Sequence, residues 1–238
     1  IVSVVFILLY INSYRQNKKL IYIFHLMKKT SSTTQEKFWK GSFGSDYINR
    51  HGQSKWVKNN KFFFKTCFKK IKSHKIKSMI EFGSNVGLNL IALHKILKLK
   101  EIRGIEINKI AHEQLSKLNY VEAINQSVSS YKSKNKYDLV LSKGFLIHIN
   151  PDQLNQVYKN IYNSCSANGY ILIAEYYSPK PVSIEYRGNK NVLFKRDFAA
   201  EILKMFKKKI QLIDYGFAYH GDKHPQDDLT WFLFKKNG

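Results

Sequence analysis

Cysteine is scarce in this sequence. Among 238 residues there are only two, Cys67 and Cys165, and they lie far apart. They lack the spacing of metal ligands and are expected to be ordinary thiols. The segment 220–228 holds several His and Asp residues, but their spacing matches no established zinc or calcium pattern, so we expect no bound metal. Isolated thiols are typical of a reducing compartment, and we expect a cytoplasmic protein.

Arginine is also rare. Only five of the 40 basic residues are Arg, so the formal net charge of +23 comes almost entirely from Lys. A basic surface attracts nucleic acid. Specific readers of nucleic acid, however, rely on the bidentate contacts of Arg. The sequence is rich in Ile and Asn as well, which is the pattern that AT-rich codons produce. We therefore attribute the charge to genome composition rather than to nucleic-acid binding.

Long hydrophobic runs are absent. The apolar stretches 1–11 and 20–27 both fall short of the roughly 18 residues that a membrane-spanning helix needs. A secretory signal carries its positive charges before the apolar run, whereas here they follow it. We expect no membrane span, with a short membrane-associating helix as the alternative. Met27 has the surroundings of a natural start, so residues 1–26 are expected to be non-native upstream sequence or a disordered apolar extension.

The remaining sequence alternates between strand and helix patterns. A hydrophobic share of 44% is ample for a packed core. Residues 27–77 are predicted to form short helices and turns, with a helix at 61–71, and residues 78–238 to form one α/β domain. We predict a Rossmann-like, mostly parallel seven-stranded sheet with helices on both faces and a C-terminal antiparallel hairpin. The predicted strands are 78–82, 101–107, 121–125, 137–142, 170–175, 210–219 and 229–235, and the predicted helices of this domain are 88–99, 109–118 and 151–165.

A glycine-rich turn follows the first of these strands. Gly83 and Gly87 allow the backbone to approach a ligand closely, at the strand end where open α/β sheets bind their ligands. A dinucleotide site would have the spacing G-x-G-x-x-G, but here Asn85 stands where the middle glycine is expected. Glu81 precedes the turn, and a carboxylate suits an ammonium group rather than a phosphate. Together with Ser84, the turn favours S-adenosylmethionine as the cofactor; the alternative is a structural strand-to-helix turn.

Polar residues end the next strands as well. Glu106 follows Gly87 at the spacing expected for a carboxylate that accepts hydrogen bonds from two ribose hydroxyls; a solvated acid is the alternative. The third strand ends in Gln126 and Ser127, which could meet the adenine edge or form a simple turn. The fourth ends beside the expected position of the methyl group. The further candidate cofactor contacts from these strand ends are Ile107, Lys143 and Gly144.

Three residues are candidates for the chemistry. His148 could act as a general base, because imidazole titrates near neutral pH, or it could be a packed structural residue. Glu175 and Tyr176 end the fifth strand on the substrate side. The insert that follows holds two of the five Arg residues, which favour an anionic substrate, although a solvated loop is the alternative. The candidate substrate contacts are Tyr177, Tyr186, Arg187, Lys195, Arg196 and His220.

Several sequence blocks resemble known methyltransferases. Residues 81–90 and 104–108 are similar to class I S-adenosylmethionine-dependent methyltransferases. From about residue 34 to the end, the chain more specifically resembles the methylases associated with pseudaminic acid biosynthesis. The blocks that carry this resemblance are Phe38-Trp39-x-Gly41-x-Phe43-Gly44-x-Asp46-Tyr47-Ile48-x-Arg50, Lys143-Gly144-x-Leu146-Ile147-His148-Ile149-Asn150-Pro151, Ala174-Glu175-Tyr176-Tyr177-x-Pro179, Tyr186-Arg187-Gly188, Phe194-Lys195-Arg196-Asp197-Phe198-Ala199 and Pro225-Gln226-Asp227-Asp228-x-Thr230-Trp231-Phe232.

This resemblance implies a methyltransferase acting on a small anionic substrate, a nonulosonic (sialic-acid-like) acid or its sugar-nucleotide precursor. It implies that the aromatic residues 38–47, Trp39 included, close over the cofactor as a lid. A methyltransferase of RNA or another nucleic acid is the alternative. Enzymes that methylate amino groups of nucleic acids often carry an Asp/Asn-Pro-Pro-aromatic motif after the fourth strand, where this chain reads Ser142-Lys143-Gly144-Phe145. A non-catalytic binding protein with the same fold is the third possibility.

Overall fold

The computed structural model describes residues 32–48 and 53–238. The expectations for residues 1–26 and for Met27 lie outside these residues. The chain divides into two units, Ile1–Thr33 and Thr34–Gly238. All the helices and strands described below belong to the second unit.

The centre of the fold is a seven-stranded sheet with the order β3-β2-β1-β4-β5-β9-β8. Neighbouring strands from β3 to β5 are parallel, whereas β9 runs antiparallel to β5 and β8 antiparallel to β9. Strands β6 and β7 form a separate two-stranded sheet. The strand bounds are β1 Ser78–Phe82, β2 Glu101–Glu106, β3 Glu122–Asn125, β4 Tyr137–Lys143, β5 Cys165–Glu175, β6 Val182–Tyr186, β7 Asn189–Lys195, β8 Ile210–Ala218 and β9 Leu229–Lys236.

Helices cover both faces of the sheet; the first three precede the first strand in the chain, and the others lie between strands. Their bounds are α1 Thr34–Lys40, α2 Ser42–Tyr47, α3 Gln53–Cys67, α4 Leu88–Ile96, α5 Lys109–Leu115, α6 Pro151–Ser164 and α7 Phe198–Phe206, with short 3-10 helices at Ser73–Lys75, Leu146–His148 and Lys207–Lys209. Among the described residues, no helix is both long and apolar enough to cross a membrane.

The strands of the parallel sheet are apolar on both faces because both faces are covered. In β1, Ile80 and Phe82 pack into the core on the side of α6 and α7, while Met79 packs into the core on the side of α3 and α4. Such burial on two sides produces nearly continuous hydrophobic strands. The free thiols of Cys67 and Cys165 are buried in these two cores.

The predicted fold is confirmed: the sheet has seven strands, is mostly parallel and ends in an antiparallel hairpin. The helix predicted at 61–71 was placed too late, since α3 spans Gln53–Cys67. It begins earlier because Val57 is buried at helical spacing from Phe64 and contributes to the same core.

The sequence did not predict the β6–β7 hairpin and α7, which occupy the region expected to be a charged substrate-binding insert. Arg187 and Gly188 have φ angles of 51° and 79° and form the two-residue turn between β6 and β7. Positive φ at both central residues is the requirement of a tight hairpin turn of this kind. Asp197 then caps α7 by accepting a hydrogen bond of 2.8 Å from the Ala200 N–H.

Candidate functional site

A cavity of about 220 Å³ opens where β1, β2 and β4 end. Its wall includes most of the residues predicted to hold a cofactor: Trp39, Gly83, Ser84, Asn85, Glu106, Ile107, Ser127, Lys143 and Gly144. His148, Tyr176 and Tyr186, predicted for catalysis and substrate binding, line the same cavity. The carboxyl ends of parallel strands therefore collect these side chains in one place.

The turn after β1 is held in a left-handed conformation at three positions. The φ angles of Gly83, Asn85 and Gly87 are 78°, 47° and 84°. Asn is one of the few residues with a side chain that adopts this region readily, which explains how it can replace a glycine here. A Cβ atom on Gly83 would lie 2.1 Å from the ring of Phe145, so this position has no room for a side chain. Gly87 caps α4 and does not line the cavity.

Glu106 joins this turn to the end of β2. Its Oε2 accepts a hydrogen bond of 2.7 Å from the Asn85 N–H, and its Oε1 one of 2.7 Å from the Asn108 N–H. Burial raises the pKa of the carboxyl, while these backbone N–H groups act in the opposite direction. A carboxylate oxygen accepts more than one hydrogen bond, so Glu106 keeps acceptor capacity for a ligand in the cavity.

Glu81 lies beneath the cavity rather than in its wall. The side chain is fully buried, and its Oε1 accepts a hydrogen bond of 2.7 Å from Asn89 Nδ2. Asn89 Oδ1 in turn accepts one of 2.8 Å from Asn60 Nδ2. Burial raises the pKa of Glu81 to about 8, and the bond from Asn89 opposes this. Both amides line the cavity, so a chain of hydrogen bonds connects Glu81 to the cavity wall.

Helices α1 and α2 form the roof of the cavity, to which they contribute Trp39 and Tyr47. Asn108 Nδ2 holds the roof by donating a hydrogen bond of 3.0 Å to the carbonyl oxygen of Trp39. Gly44 allows the close approach, since a Cβ atom there would lie 1.9 Å from the same oxygen. The roof also reaches the end of β3, where Glu36 accepts a hydrogen bond from Ser127 Oγ. That residues 38–47 act as a lid stays a prediction.

His148 is buried in the cavity wall. Its Nδ1 lies 2.8 Å from the carbonyl oxygen of Val192 in β7, and its ring contacts those of Trp39 and Tyr186 at centroid distances of 4.5 and 5.2 Å. A carbonyl oxygen can only accept, so Nδ1 carries the proton. Burial lowers the pKa of His148 to about 4, although the bond to Val192 acts against this. The ring is therefore neutral at pH 7, with an unprotonated Nε2.

Glu175, predicted as a second candidate base, lies outside the cavity wall. Its carboxylate accepts hydrogen bonds of 3.0 Å each from Ser142 Oγ, the Phe145 N–H and the Leu146 N–H. Burial raises its pKa to about 7 in spite of these donors. The N–H groups belong to the turn that leads into His148, so Glu175 anchors that turn.

The predicted anion clamp is not assembled in the cavity. Arg187 is exposed at the hairpin turn, and Arg196 pairs with Glu201 at 2.8 Å. Lys143 is the one Lys or Arg among the described residues that line the cavity. The other predicted residues outside its wall are Tyr177, which is exposed, Gln126, which donates to Ser130 Oγ, Lys195, whose Nζ lies 5.2 Å from the centroid of the Tyr176 ring, and His220, which pairs with Asp228.

Several cavity residues were missed by sequence analysis. They are mostly amides and a carboxylate on helices, namely Gln35, Glu36, Asn60, Asn89 and Gln153. A polar residue on an amphipathic helix usually faces solvent, and no motif separates these from the others. Within residues 32–48 and 53–238, no group of three or more His, Cys, Asp or Glu side chains is arranged to hold a metal ion.

Comparison with known proteins finds similar structures but no similar curated sequences. No protein-family model matches the chain, and no curated protein sequence does. Solved structures do match. An S-adenosylmethionine-dependent methyltransferase from Leishmania major is 15% identical with a TM-score of 0.62, and the match covers 84% of this chain and 80% of that one. The 1,6-didemethyltoxoflavin-N1-methyltransferase of Burkholderia thailandensis, with S-adenosylhomocysteine bound, is 12% identical with a TM-score of 0.60, covering 82% and 83%.

The N-methyltransferase NodS from Bradyrhizobium japonicum, in complex with S-adenosylhomocysteine, is 10% identical with a TM-score of 0.56, and the match covers 81% of this chain and 91% of that one. At such identities the likeness concerns the fold. The chain has the Rossmann-like fold of class I methyltransferases. The more specific resemblance to the pseudaminic acid-associated methylases stays a prediction.

Proposed function

We propose that the chain is an S-adenosylmethionine-dependent methyltransferase with a small-molecule acceptor. The observation that carries this proposal is the position of Glu106. Its carboxylate faces the cavity from the end of β2 and is oriented by the N–H of Asn85 in the glycine turn. This arrangement suits the two hydroxyls of a nucleoside ribose, while the missing glycine spacing argues against a pyrophosphate.

Some buried polar atoms of residues in the cavity wall have no hydrogen-bond partner among the described residues. Trp39 and Asn85 line the cavity, and their buried atoms Nε1 and Oδ1 make no hydrogen bond within the described residues. Buried polar groups rarely stay unpaired, so such atoms indicate a polar ligand. Glu106 would hold the ribose, the Ser127 end of the cavity would hold the adenine, and Lys143 would hold the carboxylate of the methionyl tail.

When bound, S-adenosylmethionine supplies a methyl carbon to which the acceptor's lone pair bonds while the carbon–sulfur bond breaks and its electron pair stays on sulfur. The protein must mainly orient the acceptor, which can contribute several kcal/mol. Among the residues of the cavity wall we assign the role of proton acceptor to His148, through Nε2. Because this nitrogen is unprotonated, it attracts a hydroxyl or amine hydrogen and repels a carboxylate. We therefore propose methylation of a hydroxyl or amino group.

For the acceptor, we propose a nonulosonic acid or its sugar-nucleotide precursor. The support for this choice is the sequence resemblance of residues 34–238. The free thiols of Cys67 and Cys165 make the cytoplasm the expected compartment. Because Arg187 and Arg196 lie outside the cavity wall, a carboxylate or phosphate of the acceptor would extend beyond the cavity towards the hairpin to meet them. Lys143 is already assigned to the cofactor.

The test begins with S-adenosylhomocysteine binding, measured by calorimetry and by the shift in melting temperature. We expect binding by the wild type and a loss of at least tenfold in affinity for Glu106→Gln, because hydrogen bonds to a charged group contribute about 1.5–3 kcal/mol. Glu113→Gln, on the exposed side of α5, is the matched control and should bind normally. If the wild type does not bind S-adenosylhomocysteine at all, the proposal fails.

The acceptor is then sought by transfer of a radiolabelled methyl group into nucleotide-sugar extracts. Mass spectrometry should locate the label on a hydroxyl or amino group of a sugar. Label in RNA instead would replace the small-molecule acceptor with a nucleic acid. Label that is released as methanol by mild alkali would identify a methyl ester and contradict the role given to His148.

A further inference from the structure

A single glutamine in the roof connects two distant segments. Gln35 lies in α1 with only 6% of its surface exposed. Its Nε2 donates a hydrogen bond of 2.7 Å to the carbonyl oxygen of Asn191 in β7, and its Oε1 accepts one of 3.1 Å from Asn150 Nδ2. Both ends of this amide are therefore used, each on a different part of the fold.

These two segments are the ones that meet at His148. Asn150 follows the histidine by two residues and caps α6, where its Oδ1 accepts a hydrogen bond of 2.9 Å from the Asp152 N–H. Asn191 directly precedes Val192, whose carbonyl oxygen lies 2.8 Å from His148 Nδ1. Gln35 thus joins Asn150, just after His148, to Asn191, just before the residue whose carbonyl oxygen meets His148 Nδ1.

The β6–β7 hairpin is held on one side by the buried side chains of Val192 and Leu193 and, at its backbone, by Gln35. It is a two-stranded sheet separate from the seven-stranded one, and four of the five residues of β6 are exposed. A two-stranded hairpin is only marginally stable without other contacts. Glu175 holds the turn that carries His148, independently of the hairpin. Whether His148 Nδ1 meets the carbonyl oxygen of Val192 therefore depends on the position of β7.

We propose that Gln35 is a positioning residue that holds the carbonyl oxygen of Val192 against His148 Nδ1 and so keeps Nε2 unprotonated and available to the acceptor. The same helix places Trp39 against the His148 ring at 4.5 Å. Docking of the roof and the tautomer of the histidine are therefore linked. The use of Nε2 in catalysis rests on the proposed function, but the link between Gln35 and the tautomer does not.

The test is ¹H–¹⁵N NMR of the protein labelled at histidine, which distinguishes Nδ1–H from Nε2–H tautomers. The spectrum of His148→Gln identifies the signals of His148. We expect the wild type to show the Nδ1–H tautomer alone and Gln35→Ala to show both tautomers. Lys37→Ala, an exposed position on the same helix, is the control and should match the wild type. A single Nδ1–H tautomer in folded Gln35→Ala overturns the proposal.

A second variant separates the two bonds of Gln35 and covers the case in which Gln35→Ala does not fold. Gln35→Glu, at a pH where its carboxyl is ionised, keeps an acceptor for Asn150 but has no donor for Asn191, so it should then also show both tautomers. Unchanged tautomers in this variant overturn the proposal as well. Once an acceptor is known, kcat of Gln35→Ala should fall about tenfold, which is part of the 10²–10⁴-fold contribution of a general base, while KM changes less.

The two proposals can fail separately. If the wild type does not bind S-adenosylhomocysteine, the methyltransferase proposal fails, but the tautomer spectra still decide the role of Gln35. If the wild type binds it and the spectra of the Gln35 variants equal that of the wild type, only the positioning role fails.

Discussion

Asn108 Nδ2 lies 3.0 Å from the carbonyl oxygen of Trp39, while Oδ1 of the same side chain accepts a hydrogen bond of 3.0 Å from the Ala111 N–H. One side chain therefore caps the start of α5 and holds the end of α1. Asn108 follows Glu106 by two residues and donates its own N–H to that carboxylate. The roof of the cavity is thus attached directly beside the residue that we assign to the ribose.

Replacing Asn108 with Ala should lower the free energy of unfolding by about 1–2 kcal/mol, because a helix cap contributes about 1 kcal/mol and the bond to the roof adds to it. Urea unfolding measures this change. Asn155→Ala, an exposed position within α6, is the control and should change stability little. Equal stability of the two variants would show that Asn108 does not hold the roof.

Gly83→Ala should destabilise the protein more than Gly144→Ala. Both glycines have positive φ, at 78° and 61°, so each substitution has a conformational cost of about 1 kcal/mol. Only at Gly83 would the new Cβ atom meet another group, the Phe145 ring at 2.1 Å, whereas at Gly144 nothing lies within 4 Å. Thermal unfolding of the two variants compares the costs, and similar melting temperatures would contradict the packing of the turn.

His148 should make stability depend on pH. Its pKa falls from 6.5 to about 4 on folding, so its contribution is fully present above pH 6.5 and is lost as the pH falls towards 4. The loss amounts to about 3 kcal/mol at most, at about 1.4 kcal/mol per pH unit. Buried Glu81 and Glu175 have raised pKa values and contribute in the opposite direction, losing stability as the pH rises from 4.5 to about 8 and about 7.

The difference between wild type and His148→Gln isolates the histidine from these acids. The urea midpoint of the wild type, relative to that of His148→Gln, should be lower at pH 4.5 than at pH 7, because only the wild type loses the contribution of the neutral histidine. His74→Gln, at an exposed position, is the control and should behave as the wild type does. Parallel profiles for wild type and His148→Gln would mean that the histidine is not held neutral.

Lys143→Gln should weaken S-adenosylhomocysteine binding about tenfold, since a charge-assisted hydrogen bond to a carboxylate contributes about 1.5–3 kcal/mol. Burial already lowers the pKa of this lysine, and Glu81 and Glu175 oppose that effect. Lys195→Gln is the control, because Lys195 lies over Tyr176 but outside the cavity wall. If Lys143→Gln binds S-adenosylhomocysteine with unchanged affinity but has a raised KM for the acceptor, Lys143 binds the acceptor instead of the cofactor.

Sequence patterns predicted the sheet well because strands are local features. The run Ser78–Phe82 was predicted with the bounds that the structure shows, and the hairpin at the C-terminus was recognised from the absence of a helix between its strands. The β6–β7 hairpin was missed because its charged residues, Arg187 among them, were interpreted as ligand contacts instead of as a turn with positive φ.

The sequence alone determined which residues stand at the ends of the parallel strands, and therefore that the glycine turn, Glu106 and Lys143 line one cavity. Only the tertiary structure decided where side chains from other elements point. Glu175 turned towards the backbone of the turn before His148, and Gln35 reached Asn191, 156 positions away. The reason is physical: the positions of strands along the chain follow from local hydrophobic periodicity, whereas the partner of a single amide depends on how whole elements pack.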